Sequence, residues 1–380
     1  MSPVPVLISA GEASGDMYAA RLARALSGRA DVALFGMGGP QMREAGVEVV
    51  APFSAVVGFS EVLRHLPELR RTMRRLVSEA RTRKPPIAIL TDYPSFHLRL
   101  ARRLQAQGIR NVYFVCPQFW AWRPWRARVV RRRFALGLCI FAFEEKFYRD
   151  AGVQAEFIGH PLVGEVRASK NREEFCRDAG LNPAAPVVTV LPGSRGSEQE
   201  HHLPVLREAC ALVHAKVPAQ FVVAAAPGSD VRGLQQGWPA GLEVRVVQGQ
   251  TYNALAAADA AVVSSGTATV ETALLDTPMV VVYRVAKPTA LLVRPLLRAP
   301  FICMVNLIAG RSIVPELIQD NFRPERVAQE TLALLESPEK RRAMRQGLAE
   351  VRERLGPPGA VDRAAEAIVP LLEKRASNTF

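Results

Sequence analysis

At 380 residues the chain is too long for one ordinary hydrophobic core and fits two α/β domains. A hydrophobic fraction of 49% against 22% charged residues excludes a disordered chain, and five scattered cysteines without a Cys-x-x-Cys pair argue against a disulfide framework or a zinc ribbon and fit a reducing compartment. Lysine and arginine exceed the acids by 49 to 36, and the net charge of +13 asks for an anionic partner: nucleic acid, an anionic membrane surface or phosphorylated substrates. Zinc-finger spacing, RNP-type strands and serine/arginine tracts are missing, which removes nucleic acid.

In chain order, Pro5 to Ser9 reads as a buried strand and Met17 to Leu26 as a helix. The apolar stretch Val4 to Ala10 has no basic region before it, so it reads as a strand and not as a secretion signal. The loop between them, Gly11-Glu12-Ala13-Ser14-Gly15-Asp16, lacks a full G-x-G-x-x-G and carries two acids that repel phosphate. The loop therefore suits a sugar-hydroxyl or an amine-side contact better than a phosphate. After a second strand, Val32 to Phe35, comes the segment Gly58 to Leu76, with Phe59, Val62, Leu63, Leu66, Leu69, Met73 and Leu76 at helical spacing among basic residues. Such a helix either faces a core or lies on an anionic bilayer, and Pro67 kinks or restarts it. No apolar run approaches the ~18 residues of a membrane span.

Ile87 to Leu90 is the next strand, and Asp92 follows at its carboxyl end, placed to take a proton from an attacking hydroxyl or to cap the turn before Pro94. His97 is a second proton carrier or a structural residue. Val112 to Val115 leads into an aromatic run in which Trp120 and Trp122 line a cleft or pack in a core. Ile140 to Phe143 and Glu156 to Ile158 add two strands, and Gly159-His160-Pro161 opens a crossover. The expected division is 1–165, 166–345 and a helical segment 346–380.

The second half repeats the pattern with Val187 to Leu191, Gln220 to Ala225, Leu242 to Val247, Ala260 to Ser264 and Met279 to Tyr283. Gly193, Ser194 and Arg195 follow the first of these strands, where glycine lets amides approach an anion and a guanidinium grips phosphate oxygens; a plain Pro-Gly-Ser turn has the same composition. Ser265, Gly266 and Thr267 follow the fourth strand and leave amides for a phosphate, with Glu271 one turn on for a ribose diol or for a capping box. Two such loops in one domain are what a nucleoside diphosphate requires. His201, His202 and His214 lack metal-ligand spacing, so no metal is assigned. Helices Pro338 to Leu355 and Ala360 to Lys374 are expected to pack back across two doubly wound domains whose carboxyl edges share a cleft.

Ala10 to Asp16, Gly36-Met37-Gly38-Gly39-Pro40, Pro117 to Arg123, Gly159-His160-Pro161, Leu191 to Arg195, Ser265 to Glu271 and Asn306 to Arg311 together resemble the lipid-A-disaccharide synthase family, in the family's order. The resemblance implies a GT-B architecture and an inverting transferase. It would join UDP-2,3-diacylglucosamine to 2,3-diacylglucosamine 1-phosphate without metal or cofactor, as a cytoplasmic protein peripheral to the inner membrane, and it suggests a homodimer. It implies that Asp92 is the essential aspartate and Arg195 the diphosphate contact, that Glu271 and Asn306 belong to the nucleotide site, and that Glu12 and Ser14 lie beside the reacting sugars. Phe59, Val62, Leu63, Leu66 and Leu69 are the residues expected on the bilayer. Ser95 and His97 stand where the family has an acid and an asparagine, and Cys116 where a serine is usual. The alternatives are another GT-B enzyme acting on UDP-N-acetylglucosamine, an epimerase or a peptidoglycan transferase, and a basic binding protein without activity.

Overall fold

A computed structural model of the chain describes residues 2–53, 59–286, 290 and 300–373, with the side chains of 59–65 and 373 outside the description. The chain divides into two compact units, one of Met1–Pro161 with Gly356–Phe380 and one of Leu162–Leu355. The division falls at Pro161/Leu162, where the sequence suggested 165, and the terminal segment 346–380 is itself split at Leu355/Gly356.

The first unit holds a seven-stranded parallel sheet of β1 (Val4–Ala10), β2 (Val32–Gly38), β3 (Glu48–Pro52), β4 (Ile87–Thr91), β5 (Arg110–Phe114), β6 (Leu136–Cys139) and β7 (Ala155–Phe157). Their order across the sheet is β3-β2-β1-β4-β5-β6-β7. Every residue of β4 is buried, as expected of a parallel strand covered on both faces. At Gly36 a Cβ would stand 1.7 Å from the Ile8 carbonyl oxygen, so β2 passes β1 this closely only as glycine. The strand order reverses between β1 and β4, which makes the crevice beyond their carboxyl ends the place where this fold binds ligands.

Two details correct the sequence reading. The segment Ile140 to Phe143 is not a strand: β6 ends at Cys139, and a helix, Ala142–Asp150, starts with Glu144 and Glu145 in its first turn, where the helix dipole favours acids. The helix Phe59–Arg83 runs through Pro67, and Leu69, expected on the bilayer, packs against the first unit's core. It shares a face with buried Met73 and Leu76, at spacings of four and seven. Leu66 is half-buried, and the side chains of Phe59, Val62 and Leu63 lie outside the described residues.

The second unit holds a six-stranded parallel sheet of β8 (Val187–Leu191), β9 (Gln220–Ala225), β10 (Val244–Gln248), β11 (Ala260–Ser264), β12 (Met279–Tyr283) and β13 (Glu316–Ile318), ordered β10-β9-β8-β11-β12-β13. Its switch point lies between β8 and β11. The edge strands β3 and β13 escaped the sequence reading because five residues containing proline, and three residues alone, show no usable period.

The last two long helices part company. Pro338–Arg354 stays in the second unit, where Arg352 pairs with Asp276 at 2.6 Å. Gly356 and Gly359 then turn the chain at φ of +85° and +88°, a region that favours glycine. Ala360–Glu373 packs on the first unit: it buries Ala364, Ala365 and Ile368 completely, pairs Asp362 with Arg29 at 2.7 Å and bonds Arg363 to the Ile158 carbonyl at 2.8 Å. No described helix is long and apolar enough to cross a membrane.

Candidate functional site

At the switch point of the first unit, β1 delivers Glu12 and Ser14 and β4 delivers Asp92. Asp92 and Tyr93 both have left-handed backbone, with φ of +48° and +46°, a strained conformation for residues other than glycine. The strain is held in place. The Asp92 amide donates to the Phe114 carbonyl at 3.2 Å, and its own carbonyl accepts from the Tyr113 hydroxyl at 3.0 Å and from His97 Nδ1 at 2.8 Å. His97 is completely buried, and its Nε2 takes the Ser9 hydroxyl at 2.9 Å. Burial pushes its pKa down to about 4, so the ring is neutral, with Nδ1–H donating and Nε2 accepting. His97 is therefore a positioning residue and not a second proton carrier. Gly11 lies against this turn, since a Cβ there would collide with the Tyr93 ring at 2.2 Å.

The Asp92 carboxyl is raised to about 7, first by burial and then by the Glu12 charge, with the Tyr93 amide opposing. Part of the residue still reaches solvent. A carboxylate with pKa near 7 is matched to general-base work at neutral pH. The other acid of the first loop is spent: Asp16 is buried and accepts the amides of Gly39, Gln41 and Met42 at 2.6, 3.0 and 3.3 Å. Farther along the same edge, Trp120 donates to Glu144 at 3.0 Å, and burial pushes that fully buried carboxyl up to about 8. Of the departures from the family pattern, Ser95 is exposed and Cys116 is buried beside Cys139.

In the second unit the loops after β8 and β11 lie on adjacent strands. Gly193, at φ +116°, lets Glu198 come close: a Cβ there would sit 2.6 Å from its carboxylate. Glu198 accepts from the Ser194 and Arg195 amides at 3.1 and 3.4 Å and pairs with the Arg195 guanidinium at 3.3 Å. The first-loop amides are thus turned toward a side-chain carboxylate, which shows that this geometry suits an anion. His202, buried, donates from Nδ1 to the Pro192 carbonyl at 2.8 Å and accepts the Arg284 amide on Nε2 at 2.9 Å, tying the loop to the end of β12.

The second loop is open. The helix Thr267–Leu274 begins at exposed Gly266 and Thr267 with no side-chain cap, although the Ser265 amide is committed to the Val282 carbonyl at 2.9 Å. Glu271 accepts from the Tyr252 hydroxyl at 2.8 Å. Asn306, expected at the nucleotide, is engaged within its own unit. It is buried, its Nδ2 donates to the Val314 carbonyl and Glu316 at 2.9 and 2.8 Å, and its Oδ1 accepts the Ile313 and Val314 amides at 2.8 and 3.0 Å. Both donors and both lone pairs are used, so no capacity is left for a nucleotide. Ser9, Tyr113, Glu198 and Tyr252 do not stand out in the sequence, and His202 does so only as a rejected metal ligand. Their signal is a partner across the fold, and a linear motif does not carry it.

A family model described as lipid-A-disaccharide synthetase matches residues 6–367. The lipid-A-disaccharide synthase of Solibacter usitatus is 44% identical over 372 residues, covering 97% of each chain, and that of Myxococcus xanthus is 42% identical over 376 residues, covering 98% of each. Among solved structures, the calicheamicin glycosyltransferase CalG4 superposes with a TM-score of 0.63 at 17% identity, over 99% of this chain and 100% of that one. A UDP-GlcNAc 2-epimerase from Neisseria meningitidis, bound to UDP-GlcNAc, gives 0.61 at 13% identity, over 97% and 99%. These two likenesses establish the fold alone. With a family match across nearly the whole length and two switch-point sites on a GT-B frame, the chain belongs to the lipid-A-disaccharide synthase family.

Proposed function

We propose that the protein is an inverting glycosyltransferase that condenses UDP-2,3-diacylglucosamine with 2,3-diacylglucosamine 1-phosphate, giving the β1→6-linked disaccharide 1-phosphate and UDP. The acceptor's 6-hydroxyl attacks the anomeric carbon of the donor as the bond to the diphosphate oxygen breaks. The hydroxyl proton passes to Asp92 and the leaving electron pair to UDP. The observation that carries this reading is Asp92 itself, a carboxyl raised to about 7 at the first unit's switch point. Arg195 and the open helix start at Gly266 and Thr267 supply positive potential for the departing diphosphate, and Glu271, oriented by Tyr252, accepts from the ribose.

The basic charge supports work at the inner face of the cytoplasmic membrane, where both lipids partition, with the part of the helix Phe59–Arg83 that precedes Leu69 as the docking element. A homodimer is the expected assembly. The decisive experiment supplies the purified protein with each lipid alone and with both. UDP released only with both substrates supports the reading, while turnover of soluble UDP-N-acetylglucosamine without lipid overturns it.

A further inference from the structure

The carboxyl edge of the first unit carries a cluster of cations that the proposed chemistry does not yet use. Arg99 lies on the helix Pro94–Gln105 that follows Asp92, and Arg123 and Arg126 lie on the turn after β5. The Arg123 guanidinium stacks 4.4 Å from the centre of the Trp122 ring; that of Arg126 lies 5.9 Å from the same ring and 5.7 Å from Phe119. Both guanidinium groups thus lie within cation–π distance of one indole, a placement that a merely solvated basic face does not require. Among the described residues none of the three is paired with a carboxylate. They crowd one another: burial, then the charges of Arg123 and Arg99, depress the Arg126 pKa. Like charges gathered without a counterion are stabilised when an anion arrives.

The cluster also adjoins the base. The Tyr113 hydroxyl that holds the Asp92 carbonyl at 3.0 Å feels the Arg126 charge and the Asp92 charge together. In 2,3-diacylglucosamine 1-phosphate the attacking 6-hydroxyl, carried on C5, and the phosphate, carried on C1, flank the ring oxygen and stand less than a sugar's width apart. A ligand with its hydroxyl at Asp92 therefore brings its phosphate within reach of these arginines. We propose that Arg99, Arg123 and Arg126 form a phosphate subsite that takes the 1-phosphate of the acceptor lipid; naming the acceptor rests on the function proposed above, whereas the phosphate chemistry does not.

The test titrates the full chain, read by tryptophan fluorescence, with short-chain diacylglucosamine 1-phosphate, with the same lipid lacking phosphate, with inorganic phosphate and with phosphatidylglycerol vesicles. The double variant Arg123→Ala/Arg126→Ala should weaken the phosphorylated lipid by about tenfold or more while the unphosphorylated lipid binds as before, and Arg126→Lys should fall between. In turnover the double variant should raise the acceptor KM while the donor KM holds. Equal losses for both lipids, or a loss confined to vesicles, would overturn the subsite, the latter by showing a bilayer headgroup contact instead. If the parent protein binds the phosphorylated lipid through these arginines yet releases no UDP, the subsite stands and the proposed function falls.

Discussion

The carboxyl edges of the two sheets are built in different ways. In the first unit a strained backbone at Asp92 and Tyr93 is clamped by Tyr113, His97 and Phe114, and the carboxyl it presents is desolvated next to Glu12. In the second unit one loop is closed over Glu198 and the other, at Gly266 and Thr267, is uncapped, with half-exposed Arg195 alongside. One edge holds a reactive group in a costly state; the other holds positive potential ready for an anion. That is the division expected when one unit must generate a nucleophile and the other must stabilise a leaving group.

The contrast can be broken most sharply at Asp92. Asp92→Asn should lower kcat by about 1000-fold, the usual scale of a lost general base, with an unchanged circular dichroism spectrum. Arg195→Ala should cost about 100-fold in kcat/KM, the scale of a lost charge-stabilising donor, and should leave acceptor binding alone. His97→Leu, which abandons the Asp92 carbonyl, should lower kcat by about tenfold, about 1.4 kcal/mol, with KM little changed, and His97→Asn should recover most of it. A clamp that only served stability would show no such rescue in kcat.

The pH dependence follows from the raised carboxyl. The base must be ionised, so kcat/KM should climb through about pH 7 to a plateau, and Glu12→Gln should move that limb to lower pH by removing a like charge. Stability runs the other way. Asp92 binds its proton more tightly folded than unfolded. Its contribution is intact below the ordinary carboxylate range near pH 4 and is lost progressively as pH rises to about 7. Asp92→Asn should therefore raise Tm at pH 8 more than at pH 4, and thermal melts at both values check it. The smallest effect on catalysis belongs to Asn306→Ala, which strips partners from Glu316 and three backbone groups. It should cost about 1–3 kcal/mol of stability in denaturant unfolding and not act selectively on the donor KM.

The positions of Asp92, Glu12, Arg195 and the Thr267 loop at strand ends were legible in the sequence, because an apolar run stops there and the next polar residue stands at the sheet's edge. The sequence could not separate Asp16 or Asn306 from ligand-binding residues. An acid spent on the Gly39, Gln41 and Met42 amides has the same linear surroundings as one facing a sugar. The clamp on Asp92 was hidden for a related reason, since Ser9 meets His97 across 88 positions of chain. The two short edge strands and the early end of β6 were lost to length and to the aromatic residues that straddle a strand end and a helix start.

The helix Ala360–Glu373 ties the first unit to a segment translated only after the whole second unit. β1 through β7 emerge early, yet the surface carrying Arg29 and the Ile158 carbonyl waits for Asp362 and Arg363. During translation the second unit is free to fold while the first is still missing its closing helix, against the usual amino-terminal-first order. A premature stop near Gly356 would thus spare the second unit and strike the first.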